Sequence, residues 1–286
     1  MAINSFNLTM KHYLTIIILA FMFYGASVAN ASDNYGGILD KIQSAIDKSD
    51  WDSSERLIKE ALKAEPANPN NFLLFSNLGT IERNLGKLDE ALTNYDLALS
   101  IAPNSSTILH NRASLLIEMD SVKRALKDYE KLVELDDKDC VAHNFIGMIA
   151  LEFGNFDLAK ESFQKVLKVE SGNMDSKRGL ALLYKLNSQY NDAILLYNEI
   201  IKKENKQSNY LNRAECYIAK SEFTKAQQDL SEAQKLDPKS SDLYLLKASL
   251  AFSQFRYDDA NNYAKEAIQL GADESLVQKY IVKKEK

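Results

Sequence analysis

A pattern of small and aromatic residues returns in this chain about every 34 residues. A chain that repeats itself at such an interval folds as a row of like units rather than around one centre. The pattern is small-x-x-x-aromatic-x-x-small. It is met by Ala91, Tyr95 and Ala98, by Ala125, Tyr129 and Leu132, and by Ala159, Phe163 and Val166. Ala193, Tyr197 and Ile200 follow, then Ala226, Leu230 and Ala233, then Ala260, Ala264 and Ala267. A weaker copy, Ser54, Ile58 and Ala61, precedes them, so the first members stand 37, 34, 34, 34, 33 and 34 residues apart. About twelve residues before most copies lies another small residue: Gly79, Ala113, Gly147, Ala181, Ala214 and Ala248, with Ile42 in the first copy. Between the two strings come a turn and an apolar or aromatic residue, as at Trp51, Phe156 and Tyr257.

Apolar residues three and four apart place one face of a helix against a partner. Small residues mark where two helix axes approach closely. Gly86 and Gly154 suit the turn within a hairpin, and Pro66, Pro103 and Pro238 stop the second helix. The repeating unit is therefore a helical hairpin that must stack on its neighbours to bury its apolar face. The large aromatics after the turns are expected in the core.

The first 31 residues read as an address. Lys11 and His12 precede a twelve-residue apolar run, Tyr13–Tyr24, and an Ala-x-Ala end at Ala29 and Ala31. This order describes a secretory signal peptide cleaved after Ala31, with Met10 the more natural start. The run is shorter than the about 20 residues of a membrane span. Membrane attachment is expected only if the segment is kept as an anchor. Its removal leaves 34 basic and 40 acidic residues, a net charge of −6 and no basic footprint for nucleic acid. Export leads to periplasm in a Gram-negative cell and to secretion otherwise. Cys140 and Cys216 lie 76 residues apart, two units away from each other, and are read as free structural thiols.

No His-Glu-x-x-His, Gly-x-Ser-x-Gly or phosphate-binding glycine loop occurs, and the only histidines are His12, His110 and His143. Cys140 and His143 share a helical turn, but two ligands fall short of the four that structural zinc requires. No catalytic residue, metal or cofactor is expected.

These residues resemble the tetratricopeptide repeat family over most of the chain. The resemblance implies an all-α fold, a right-handed α-solenoid of stacked helical hairpins. About seven units are expected, near 35–68, 72–105, 106–139, 140–173, 174–206, 207–240 and 241–274, with residues 275–286 as a capping helix and tail. It also implies a non-catalytic interaction scaffold whose first helices line a concave groove for a peptide or helix of a partner protein. By the family's geometry that groove is lined by Asn144, Met148, Leu151, Leu182 and Leu186. Leu211, Glu215, Ile218, Leu245 and Phe252 continue it, with Arg178 as a lone cation. One branch of the family grips chaperone C-termini with paired Lys, Asn and Arg side chains. The matching positions here are Ser76, Thr80, Asn111, Val141 and Phe145, and Arg178, Leu182, Asn212, Asp242 and Leu246. Only the middle Asn persists in each set, so that carboxylate clamp is not expected. The alternatives to a scaffold are an accessory subunit of an envelope enzyme complex and a self-associating repeat protein.

Overall fold

The computed structural model describes residues 33–281. The signal-peptide reading of residues 1–31 lies outside them. Among the described residues every regular element is helical. Seven hairpins follow one another. They are α1 (Asp33–Asp47) with α2 (Trp51–Ala64), α3 (Asn71–Asn84) with α4 (Leu88–Ile101), and α5 (Ser106–Glu118) with α6 (Val122–Leu135). Then come α7 (Cys140–Glu152) with α8 (Phe156–Val169), α9 (Met174–Leu186) with α10 (Tyr190–Lys203), α11 (Gln207–Ala219) with α12 (Phe223–Leu236), and α13 (Ser241–Ser253) with α14 (Tyr257–Gln269). A short α15 (Glu274–Val277) and a 3₁₀ turn (Gln278–Tyr280) end the described chain. The architecture is the α-solenoid of helical hairpins that the period implies. No described helix is long and apolar enough to cross a membrane.

Each hairpin turns on one residue in the left-handed conformation: Ser49, Gly86, Asp120, Gly154, Ser188, Ser221 and Phe255. At Gly86 the amide donates to the Arg83 carbonyl at 3.0 Å, and Lys87 N–H reaches the Glu82 carbonyl at 2.8 Å. This paired closure satisfies the last carbonyls of the first helix and reverses the chain. Some starts are fixed by side-chain caps. Asp50 accepts from Ser53 N–H at 3.1 Å, and Asn173 accepts from Ser176 N–H at 3.0 Å.

The chain forms two compact units, up to Ile149 and from Ala150, with the boundary inside α7. In the first, Ile38, Ile42, Ile58, Ala61, Leu74, Leu78 and Ile81 make a core that joins α1, α2 and α3. Trp51 packs on its edge. Gly79 is where α3 meets α4: a Cβ there would sit 3.0 Å from the Tyr95 ring and the Ala91 carbonyl oxygen. Tyr129, wholly buried, stacks on Phe145 at 4.7 Å.

In the second unit, Ala214, Ala226, Leu230, Ala233, Leu243 and Leu250 join α11, α12 and α13. Val277 and Tyr280 of the closing segment pack on Leu245, Ala248, Ala264 and Ala267. They cover the apolar face that a further hairpin would otherwise cover. Leu276 and Ile281 are partly buried there. Phe156 is half-buried, whereas Tyr257 is 42% exposed, contrary to the core placement expected of the turn aromatics. Neither Cys140 nor Cys216 forms a disulfide. Burial pushes the Cys216 thiol up to about 11, which keeps it protonated and unreactive.

Candidate partner-binding face

The first helix of each hairpin carries the positions expected to meet a partner. The second unit shows what is available there. Leu211, Ile218 and Leu245 are buried: Leu211 and Ile218 join the core around Leu230, and Leu245 packs against the closing segment. Leu151 is also buried. Phe252 is half-buried, its ring edge-on to Tyr257 at 5.4 Å and to Tyr280 at 5.7 Å. Leu182 is half-buried, and Leu186 is 42% exposed. In the first unit Met148 is buried and Asn144 half-buried. Helical spacing marks all these positions alike, but only part of the apolar set reaches solvent.

Around Leu182 and Leu186 stand two ionic clusters. Arg178 donates to Glu204 at 2.9 Å and also to Asp175 on its own helix. Arg178 is thus an ion-paired cation. Lys185 donates to Asn212 at 2.8 Å and to Glu215 at 2.7 Å, which joins α9 to α11. Burial works against the Glu204 charge, yet bonds from Lys206 and Arg178 hold its carboxyl below the usual carboxylate range. Lys185, Asp175 and Glu204 do not feature in the groove expected from sequence. Lys185 lies seven residues after Arg178, two turns along the same helix face, and that spacing is the signal that points to it.

The arginines that follow the two persisting asparagines, Arg112 after Asn111 and Arg213 after Asn212, have a different task. The Arg213 guanidinium forms a fork on Asp229, with Nε to Oδ2 at 2.8 Å and Nη2 to Oδ1 at 2.6 Å. Its Nη1 reaches Asn198 Oδ1 at 2.6 Å. Arg112 repeats this in the first unit, on Asp128 at 2.9 and 2.6 Å and on Asp96 at 2.7 Å. In both, one arginine on a first helix ties its own second helix to the second helix before it. Planar bidentate geometry makes such pairs specific as well as strong.

Family models described as tetratricopeptide repeat match residues 39–106, 144–209 and 211–275, and a further one matches 106–139. The chain belongs to the tetratricopeptide repeat family. A tetratricopeptide repeat protein from Parabacteroides merdae has a crystal structure with 30% identity and a TM-score of 0.66, covering 87% of this chain and 98% of that one. YrrB, described as a TPR protein with an unusual peptide-binding site, shares the fold at 20% identity and a TM-score of 0.53, over 65% of this chain and 96% of that one. DnaJ homolog subfamily C member 3 of Gallus gallus is 28% identical over 204 residues, which cover 66% of this TPR chain and 40% of that protein. Human mitochondrial import receptor subunit TOM70 is 27% identical over 146 residues, 51% of this chain and 22% of that protein. The TPR chain thus spans well under half the length of the curated relatives it matches.

The polar groups left in the first unit serve its repeats. His110 Nε2 stands 2.7 Å from Asp139 Oδ2, and Asp139 Oδ1 accepts from Ala142 N–H at 2.9 Å, capping α7. His143 Nε2 turns back to the Asp137 carbonyl oxygen at 3.0 Å. Among the described residues no three His, Cys, Asp or Glu side chains gather as metal ligands. Burial opposes the Asp139 charge, but His110 and the helix amides hold its carboxyl below the ordinary value. A carboxylate depressed in the folded state stabilises above its unfolded pKa, and that contribution is lost as pH falls through the folded value. Asp139→Asn is therefore expected to lower the urea midpoint at pH 7. The gap to the parent should close below about pH 4. A gap that persists unchanged at pH 3 would show that charge is not what Asp139 contributes.

Proposed function

We propose that this protein is an exported, non-catalytic scaffold that holds a peptide or helix of a partner protein along the first-helix face of its repeats. The observation that carries the reading is the face of α9 and α11. There Leu182 lies between Arg178, with its two carboxylates, and Lys185, bound to Asn212 and Glu215, and the 42%-exposed Leu186 follows Lys185 at the end of α9. Apolar anchors flanked by fixed, paired charges suit a helix or extended segment, with anchors giving affinity and charges giving register. YrrB, a TPR protein described by its peptide-binding site, and the import receptor TOM70 keep company with this reading. Export rests on the order of residues 11–31, with basic start, apolar run and Ala-x-Ala end.

The test is a photo-crosslinking amino acid placed at Leu186 in living cells, with Leu195 as a control. Leu195 is 62% exposed on α10, a second helix. Position 186 is expected to give discrete protein adducts, and position 195 none of the same mass. Adding Lys185→Glu should reduce the adducts about tenfold by placing two like charges at Glu215. Equal adducts at both positions, or none at 186, would overturn the groove assignment.

A further inference from the structure

On the α9–α11 face the cations and the acids are not placed alike. Lys185 shows only 14% of its side chain to solvent, whereas Glu215, which accepts from it, shows 50%. Arg178 shows 26% and its acceptor Asp175 shows 38%. The amine and the guanidinium are turned inward, and the carboxylates lie outward of them. Each acid also bonds through one oxygen alone. Glu215 uses Oε2 for Lys185 at 2.7 Å, and Asp175 uses Oδ1 for Arg178. Glu204 uses Oε2 for Arg178 and for Lys206, each at 2.9 Å. Among the described residues Glu215 Oε1, Asp175 Oδ2 and Glu204 Oε1 accept no bond.

The same face carries an apolar element. The half-buried Leu182 stands one turn after Arg178, and the exposed Leu186 one turn further. Asp242 repeats the place of Asp175: each is the second residue of a first helix, and Asp242 is exposed. The negative character of the face thus comes from orientation rather than from number. A carboxylate held by an inward cation keeps acceptor sites on its outer oxygen. An ammonium or guanidinium arriving from solvent adds a bond there without displacing the first one. An arriving carboxylate meets oxygens of its own sign first, because the cations beneath are covered and already bonded.

We propose that the α9–α11 face takes a basic amphipathic helix of a partner protein, with apolar anchors on Leu182 and Leu186 and lysine or arginine side chains on the outer oxygens of Asp175, Glu204 and Glu215. The proposal rests on the reading of this face as the partner site and adds the partner's charge to it. The polarity is the reverse of the carboxylate clamp, in which cations receive an acidic C-terminus. Exposed ion pairs contribute little singly. Several acting together set the preference between partners and speed their encounter, while the apolar anchors supply the affinity. Lys185 serves here as the tie between α9 and α11 and not as a contact to the partner, so it is left unchanged in the variants below.

The experiment uses the full chain and labelled peptides of one amphipathic helical pattern, with leucine on one face and lysine, glutamine or glutamate on the other. Affinity is read by fluorescence anisotropy, and a photo-crosslinking amino acid at position 186 reports where each peptide binds. The lysine peptide is expected to bind about tenfold tighter than the glutamine peptide, and the glutamate peptide more weakly than either. Raising the salt from about 50 to about 500 mM should shrink that difference. Asp175→Asn/Glu215→Gln keeps oxygen acceptors for Arg178 and Lys185 but removes two charges. It should abolish the preference for lysine and strengthen binding of the glutamate peptide about tenfold. Glu161→Gln/Glu232→Gln removes two exposed, ion-paired charges from second helices and should leave the preference intact. If the first double variant loses helicity, Glu215→Gln alone carries the test. Equal binding of the lysine and glutamine peptides, with adducts at position 186, would overturn the basic partner and leave the partner face standing. Equal loss of preference in both double variants would overturn it as well, by tracing the preference to the charge of the whole chain. No adduct at position 186 from any peptide would bring down the face and this inference together.

Discussion

Asp229→Ala is expected to lower stability by about 3–5 kcal/mol, with the loss seen in the unit that follows Ala150. Asp229 is 4% exposed and accepts both arms of the Arg213 fork. Removing it leaves a guanidinium in a part-buried site with only Asn198 to bond, and an unpaired charge there is costly. The neighbouring aromatics add to the effect, since Arg213 also lies 5.7 Å from the Tyr210 ring and 6.0 Å from the Tyr217 ring. Urea unfolding of Asp229→Ala, Arg213→Ala and the double variant supplies the check. The double variant should cost less than the sum of the two, because each single change already breaks the same fork. Additive losses would mean that the pair contributes through packing alone. Arg112 and Asp128 should behave alike in the first unit, where the same sixteen-residue spacing gives the same geometry.

The second large effect is expected at Gly179. A Cβ built there would lie 2.3 Å from the nearest carbon of the Phe163 ring and 2.6 and 2.7 Å from the next two. Phe163 is wholly buried on α8, so its ring has little room to withdraw. Gly179→Ala should therefore destabilise by about 1–3 kcal/mol through overpacking, against the usual gain in helix propensity. Phe163→Leu in the same chain should recover part of the loss by vacating the ring's place. An alanine variant with an unchanged thermal midpoint would show that α8 and α9 are free to move apart at this point.

The contrast between these two sites explains how much was legible. The hairpins followed from the period because small residues such as Gly79 and Ala91 recur at fixed intervals, and each answers a local demand for close approach. Gly179 escaped because it falls outside that interval: its small size answers one ring, Phe163, on another helix. The arginine forks were not visible in the sequence, since the fork acceptors Asp128 and Asp229 lie sixteen residues on and the third partners, Asp96 and Asn198, lie in the preceding hairpin. On the candidate face the division is similar. Spacing selected Leu186 and Leu211 alike, yet Leu186 reaches solvent and Leu211 joins the core around Leu230.

The sequence by itself determined the repeating hairpin, its turns and its membership in a stack, because helix period, turn chemistry and close helix contacts all act over short stretches of chain. Tertiary structure alone decided which apolar side chains face water and which cation meets which carboxylate. Those outcomes depend on atoms brought together from distant hairpins, and no local pattern of residues encodes the distance between them.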